Sequence, residues 1–142
     1  MNIHLDNVNT NSTSGPNHFA AKLIKYMKLL KVSFNIEKES DAILAFIETH
    51  RTDTRGLPLY QRLDGIYFNS AQQFELLNKN IKRTYDMSHG VIYQSNFNKV
   101  LTEKYFGVHK NSVVIHNGAD VDYINEISPL NSSKIDKYDN VW

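Results

Sequence analysis

Cysteine is absent from the 142 residues, so disulfide bonds and thiol chemistry are excluded. Long apolar runs are absent too: none approaches the ~20 residues of a membrane-spanning helix, and the amino terminus lacks a signal-peptide core. Neither sign of charge dominates, because the formal net charge is +1, and this argues against nucleic acid or an anionic membrane as a partner. We therefore expect a cytoplasmic protein without an integral membrane segment.

Strand-like and helix-like segments alternate along the chain. Hydrophobic residues make up 41% and charged residues 22% of it, the balance of a soluble globular domain. Apolar runs typical of strands lie in MNIHLDNV, KVSFNI, DAILAFI, LPLYQRL, GVIYQS and SVVIHNG. This alternation predicts a three-layer α/β domain with a mainly parallel sheet. Buried strands are predicted at Ile43–Ile47, Leu59–Leu63, Val91–Tyr93 and Val113–Ile115.

Three helices are predicted from apolar residues at helical spacing. The first begins near Pro16, since proline is tolerated in a first helical turn. The second begins at Asn69 or Ser70, because Ser70 and Gln73 have the spacing of a capping box. The third ends at Gly107, a residue suited to a helix C-terminus.

The pattern weakens after Asp122. Pro129 and a polar Asn-Ser-Ser run are typical of a linker, and the final DNVW resembles the start of another strand. We therefore predict a folded domain over residues 1–124, followed at 125–142 by an interdomain linker and the possible first strand of a further domain.

The predicted strand exits carry the candidate site residues. Ligands of open parallel sheets bind outside the carboxyl ends of the strands, so residues at these exits are expected to border one concave surface. These candidates are Gly15, Pro16, Asn17, Arg62, Asp64, Gly65, Ser95, Asn117 and Gly118.

Arg62 and Asp64 are two residues apart on a strand, so their side chains share one face of the sheet. A guanidinium can hold a phosphate or carboxylate, and an aspartate can accept hydrogen bonds from sugar hydroxyls. Two structural alternatives remain: the pair binds only itself, or Asp64 merely shapes the turn before Gly65.

Several common site classes lack their sequence signals. Neither G-x-G-x-x-G nor the Walker pattern is present, and Ser-Gly-Pro-Asn at residues 14–17 is only a weak phosphate-loop signal. No two histidines have H-x-x-x-H spacing on a predicted helix, so no metal site is expected. His116, inside an apolar strand, is interpreted as a core or strand-end histidine, His50 as a solvated loop histidine that is worth testing, and the Asp120–Asp122 pair as coincidence.

Four segments in this order resemble the amino-terminal domain of glycosyltransferase family 4, whose members have the two-domain GT-B fold. SGPNHFAAKLIKYM is similar to the family's glycine loop and first helix, and QRLDGIYFN to its H-R-x-D-G stretch. GVIYQSNFNKVLTEKYFGV resembles a strand that ends in serine before a helix reaching F-G-V. SVVIHNGADVDY resembles the I-x-N-G-x-D segment before the interdomain linker. The resemblance covers residues 2–123.

The resemblance implies a Rossmann-like domain that forms the N-terminal half of a GT-B enzyme. It implies retaining, metal-independent transfer of a sugar from a nucleotide sugar, such as a UDP- or GDP-sugar, to a glycan, protein or small-molecule acceptor. This domain would supply the acceptor side of the cleft, with Asp64 positioning the acceptor. A carboxy-terminal domain would bind the donor, so residues 1–142 alone are expected to be inactive.

Two departures from the family pattern affect this expectation. Gln61 stands where relatives often have histidine, and the E-x-F-G-x-x-x-x-E donor motif of the second domain has no match. A stand-alone sugar- or nucleotide-binding module without catalysis is therefore an alternative. An unrelated nucleotide-binding domain of flavodoxin type is a third.

Overall fold

The computed structural model describes residues 1–12, 14–34, 39–119 and 121–128. Within them, six strands form one sheet in the order β2-β1-β3-β4-β5-β6, and all neighbouring pairs are parallel. The strands are β1 (Asn2–Asp6), β2 (Ser33–Phe34), β3 (Ala42–Phe46), β4 (Leu59–Leu63), β5 (Gly90–Tyr93) and β6 (Ser112–Val114). The helices are α1 (Gly15–Met27), which continues into a 3-10 turn at Lys28–Leu30, α2 (Phe74–Met87), α3 (Asn96–Phe106) and α4 (Val121–Glu126). The predicted three-layer, Rossmann-like α/β fold is confirmed.

Helices pack on both faces of the sheet because side chains alternate along each strand. On one face, Ala20 of α1 packs with Leu44 and Phe46 of β3. On the other, Ile81 and Tyr85 of α2 pack with apolar residues of β4 and β5. All five residues of β3 are buried, so this central strand reads as a continuous apolar run.

The exits of β1 and β3 diverge at a topological switch point. From β1 the chain moves outward to β2 and then returns to the other side of β1, where it forms β3. In doubly wound sheets the crevice at such a point is the usual ligand site.

The prediction of a buried strand at Val113–Ile115 is wrong. Val113 and Ile115 are 48% and 55% exposed, and β6 ends at Val114. β6 is an edge strand that pairs with β5 on one side. Its side chains can therefore remain exposed although they are apolar. His116 follows the end of β6 and is exposed, so it is not a core histidine.

Two other predicted boundaries differ from the structure. The second helix begins at Phe74, and Gln73 makes no side-chain cap hydrogen bond. Instead, Asn69 accepts hydrogen bonds from Ala71 N through its side chain and from Gln72 N through its carbonyl. This local turn competes with helix formation. β3 ends one residue before the predicted Ile47.

The carboxyl-terminal predictions remain open. The predicted boundary after residue 124 falls within α4. The linker signals at Pro129 and the final DNVW, like Asp120 of the Asp-x-Asp pair, lie outside the described residues. Among the described residues, every helix is too short or too polar to cross a bilayer.

Candidate functional site

A cleft of about 560 Å³ opens at the carboxyl ends of the central strands, beside the topological switch point. The residues that follow β1, β3 and β4, three neighbouring strands of the sheet, form one wall of the cleft. Helix α2 forms another side. The lining residues are Asn7 after β1, Ile47 and Glu48 after β3, Asp64, Gly65, Ile66 and Tyr67 after β4, and Leu77 and Ile81 of α2.

Arg62 is buried beneath the exit of β4, with a side chain only 5% exposed. Its position on the strand directs it toward α1, where its guanidinium lies 3.8 Å from the Phe19 ring centre and 5.4 Å from that of Phe46. The guanidinium donates to Asp64 Oδ1, and its second terminal nitrogen donates to Asn117 Oδ1 at 2.9 Å. This ion pair is the contact that the structural alternative predicted, and of the two residues only Asp64 is among those that line the cleft.

Gln94 completes a polar network across three strand exits. Its Nε2 donates to the carbonyl of Asp64, and its Oε1 accepts from Asn117 Nδ2 at 3.0 Å. Because these residues follow β4, β5 and β6, the network fixes neighbouring exits relative to one another. Gln94 directly follows β5 and was not among the predicted site residues.

Burial controls the protonation of the Arg62–Asp64 pair. Desolvation raises the pKa of the Asp64 carboxyl above 3.8, while the attraction and hydrogen bond of Arg62 act in the opposite direction. Burial likewise lowers the pKa of Arg62. A carboxyl group with a raised pKa is a better proton acceptor than an ordinary aspartate, which suits contact with a hydroxyl.

The predicted residues around Gly15 lie at the amino end of α1. Asn17 Oδ1 accepts from Asn9 N at 2.8 Å, and Asn17 Nδ2 donates to Ser14 Oγ at 2.9 Å. Asn17 thereby fastens the helix start to the loop after β1, while Pro16 occupies the first turn. Phe19, one turn after Gly15, brings this helix end beside Arg62.

Of the remaining predicted site residues, one caps a helix, one lines the cleft and one is exposed. Ser95 caps α3, its Oγ accepting from Asn98 N at 3.1 Å. Gly65 lines the cleft, but the positive-φ glycines of the described chain are Gly56 and Gly107, so Gly65 needs no special backbone freedom. Gly118 is exposed, with no atom within 4 Å of where a Cβ would stand.

Sequence reasoning missed the switch-point residues Asn7, Ile47 and Glu48. Glu48 Oε2 accepts from Asn80 Nδ2 at 2.9 Å, and its Oε1 lies 3.8 Å from His50 Nε2. His50, the histidine singled out from the sequence, is therefore a mostly exposed neighbour of a cleft carboxylate. The strand-exit rule applied to β1 and β3 would have found Asn7 and Glu48.

The lining chemistry favours a neutral, hydroxyl-rich ligand. Glu48 and Asp64 offer carboxylate oxygens, Asn7 an amide and Tyr67 an aromatic ring, whereas no lysine or arginine is among the cleft-lining residues. Arg62 balances the charge of Asp64 from beneath the cleft, whereas no lysine or arginine among the lining residues balances Glu48, so a phosphate would meet an uncompensated carboxylate there. Within the part of the chain that the structure describes, no group of three metal-ligating side chains occurs.

The site and sheet define a doubly wound α/β protein with a cleft at its switch point. Comparison with known proteins adds no closer assignment: no family model, curated protein or solved structure matches the chain.

Proposed function

We propose that this chain is the acceptor-side domain of a retaining, metal-independent GT-B glycosyltransferase. The cleft is the observation that carries the proposal: among the described residues, two carboxylates and no lysine or arginine line a cavity at the switch point of a parallel sheet. Its volume falls within the ~300–1,000 Å³ typical of small-molecule sites. The resemblance of the sequence to family 4 supplies the reaction class.

In this proposal, Asp64 positions the acceptor. Its carboxylate is fixed by Arg62, and burial raises its pKa. It accepts the hydrogen bond of the attacking hydroxyl and holds that oxygen beside the anomeric carbon of the donor sugar. Positioning of this kind contributes to the rate without adding donor affinity.

The donor, a UDP- or GDP-sugar, is bound mainly by a carboxy-terminal domain in this proposal. The cleft on this chain then forms one wall of the complete site. Residues 1–142 alone are expected to bind acceptor-like sugars weakly, to bind nucleotide sugars no tighter than millimolar, and to transfer nothing.

Isotope-labelled protein titrated with neutral oligosaccharides tests the cleft. Shifts at Glu48, Asp64 and Tyr67, and their absence with free nucleoside diphosphates, are the expected result. Micromolar binding of a nucleotide sugar by residues 1–142 would place the donor site here and contradict the proposal. Saccharide binding without transfer by any longer natural chain would instead indicate a stand-alone binding module.

Asp64→Ala tests the role of the carboxylate in the complete enzyme. A more than tenfold loss of transfer with little change in donor affinity is expected, and stability is measured in parallel because Arg62 loses its partner. Asp86→Ala is the matched control, since Asp86 forms an exposed ion pair with Lys82 on the surface of α2. A destabilised but fully active Asp64→Ala enzyme would reduce Asp64 to a structural role.

A flavin protein is the second candidate, because the strand order β2-β1-β3-β4-β5 is also that of flavodoxin-like sheets. The anionic lining of the cleft disfavours a flavin phosphate. The visible absorption spectrum of the purified protein decides between these classes, since a bound flavin is yellow.

A further inference from the structure

The exit of β3 has an unusual backbone conformation. Glu48 N donates to the carbonyl of Phe46 at 2.8 Å, and the intervening Ile47 has a φ of 67°. A hydrogen bond between residues i and i+2 around a positive φ is a classic γ-turn, a rare and strained form. β-Branched side chains strongly disfavour positive φ, so neighbouring groups must hold this turn.

Gln61 contacts the turn from the opposite face of β4 to Arg62. Its side chain is fully buried, and its Nε2 donates to the carbonyls of Ile47 at 2.6 Å and of Ile81 at 3.1 Å. These two acceptors fix the orientation of the amide. Both donor hydrogens are used, so the side chain joins the strained turn directly to α2.

The oxygen of the same amide is unpaired. Gln61 Oε1 is buried and has no hydrogen-bond partner among the described residues. A methionine or leucine would fill this space without burying an unpaired carbonyl, which is unfavourable. Core packing alone therefore does not account for glutamine here, whereas its two donated hydrogen bonds do.

The remaining contacts of the turn come from the sheet. Asn7 Nδ2 donates to the carbonyl of Phe46 at 2.9 Å, and Ile47 N donates to the carbonyl of Arg62 at 2.8 Å. Neither reaches the carbonyl of Ile47 itself. Within the part of the chain that the structure describes, the side-chain amide of Gln61 is thus the donor that holds the carbonyl of Ile47.

We infer that Gln61 is a positioning residue: its amide holds the γ-turn at Ile47 against α2 and thereby presents Glu48 at the cleft. Glu48 follows the turn directly, and its carboxylate lines the cleft while accepting from Asn80 of α2. A relaxed turn would rotate this carboxylate away from the site. The role of Gln61 in holding the γ-turn does not depend on the proposed function. The expected effect of Gln61 on saccharide affinity does rest on it.

Gln61→Met tests the inference because methionine has similar length and no donor. We expect the backbone ¹³C shifts of Ile47 to change from values typical of positive φ to values typical of negative φ. The amide proton of Glu48 should exchange with solvent at least tenfold faster. The Kd of any bound saccharide should rise at least fivefold. Tyr93→Phe is the matched control: Tyr93 belongs to the core cluster against which Ile47 packs, but its hydroxyl bonds to Tyr85 and not to the γ-turn, so the variant should change none of these three quantities. Unchanged Ile47 shifts in Gln61→Met would overturn the inference.

A rescue variant separates positioning from general stability. Asparagine adopts positive φ more readily than isoleucine, so Ile47→Asn in the Gln61→Met background should restore slow exchange at residue 48. Continued fast exchange would contradict the inference.

A wild-type measurement covers the case in which Gln61→Met does not fold. The Gln61 side-chain amide protons should exchange far more slowly than those of exposed glutamines, and exchange at the solvent rate would also overturn the inference. If wild type binds no saccharide, the proposed function fails, while the Ile47 and Gln61 measurements still decide the role of Gln61.

Discussion

The guanidinium of Arg62 lies 3.8 Å from the ring centre of Phe19, between α1 and the sheet, and is paired with Asp64 at its other end. A buried cation of this kind is stabilised by an aromatic face and a carboxylate together. One residue therefore joins α1, β4 and the candidate site. Its replacement should affect stability and the site together.

Arg62→Leu is expected to destabilise the protein by about 2–4 kcal/mol, because it leaves a partly buried carboxylate without its partner. The lower end of that range is favoured since the Asp64 side chain is 24% exposed. Urea unfolding measures the change. Adding Asp64→Asn to Arg62→Leu should recover at least about 1 kcal/mol, since the uncompensated charge is then removed.

Lys82→Leu provides the control for this pair. Lys82 forms an exposed ion pair with Asp86, and such pairs contribute about 0–1 kcal/mol. An Arg62→Leu loss no larger than that of Lys82→Leu would show that the buried pair has no special role in stability.

Asp64 should make the protein less stable as the pH rises through its folded-state pKa. Because burial raises that pKa above 3.8, the folded state holds the proton more tightly than the unfolded state. The favourable contribution is complete below pH 3.8 and is lost as the group ionises in the fold. Unfolding free energies of wild type minus Asp64→Asn, measured at a series of pH values, should therefore fall with rising pH. A difference that grows with pH would mean that Arg62 outweighs desolvation.

Ser95→Ala should cost about 1 kcal/mol, because Ser95 caps α3 by accepting from Asn98 N. Ser95→Asn preserves a capping side chain and should cost less. Thermal unfolding compares the two variants, and saccharide titration examines the predicted binding role. If Ser95→Asn stays stable but loses saccharide affinity, Ser95 contacts the ligand as well as the helix.

Gly90→Ala should destabilise the protein by about 1–3 kcal/mol through overpacking. A Cβ at this buried strand position would stand 2.9 Å from Asn111 Nδ2 and 3.1 Å from Tyr60 Cδ1. Gly118→Ala is the matched control, since nothing lies within 4 Å of its Cβ position, and its effect should stay within about 0.5 kcal/mol. Equal melting temperatures for the two variants would contradict the crowding at Gly90.

Apolar runs predicted the sheet because burial on both faces leaves little choice of residue. Ala42–Phe46 is the clearest case, with every side chain buried. The burial of β6 was not predictable in the same way, since it depends on what covers an edge strand. The start of α2 was missed because Asn69 forms a local turn, and the capping-box spacing does not reveal that competition.

The contact between Arg62 and Asp64 was predictable, because residues i and i+2 of a strand share a face of the sheet. Arg62 and Asp64 sit two apart near a strand end, and the structure pairs them. The γ-turn at Ile47 could not be predicted, because isoleucine normally avoids positive φ. Its cause lies 14 residues later in Gln61, a long-range contact that local patterns do not encode.

The short connection between β3 and β4 predicts the order in which the strands pair during folding. Residues 47–58 join these strands without a helix, and Ile43 and Leu59 are the register partners closest in sequence within the sheet. Short closures cost the least chain entropy and form quickly, so we expect β3 and β4 to pair early. β1 is made before β3 but pairs with it across 39 residues (Ile3 with Ala42), so this pairing must wait until β3 has been made. The crevice between them is then among the last parts of the protein to take shape.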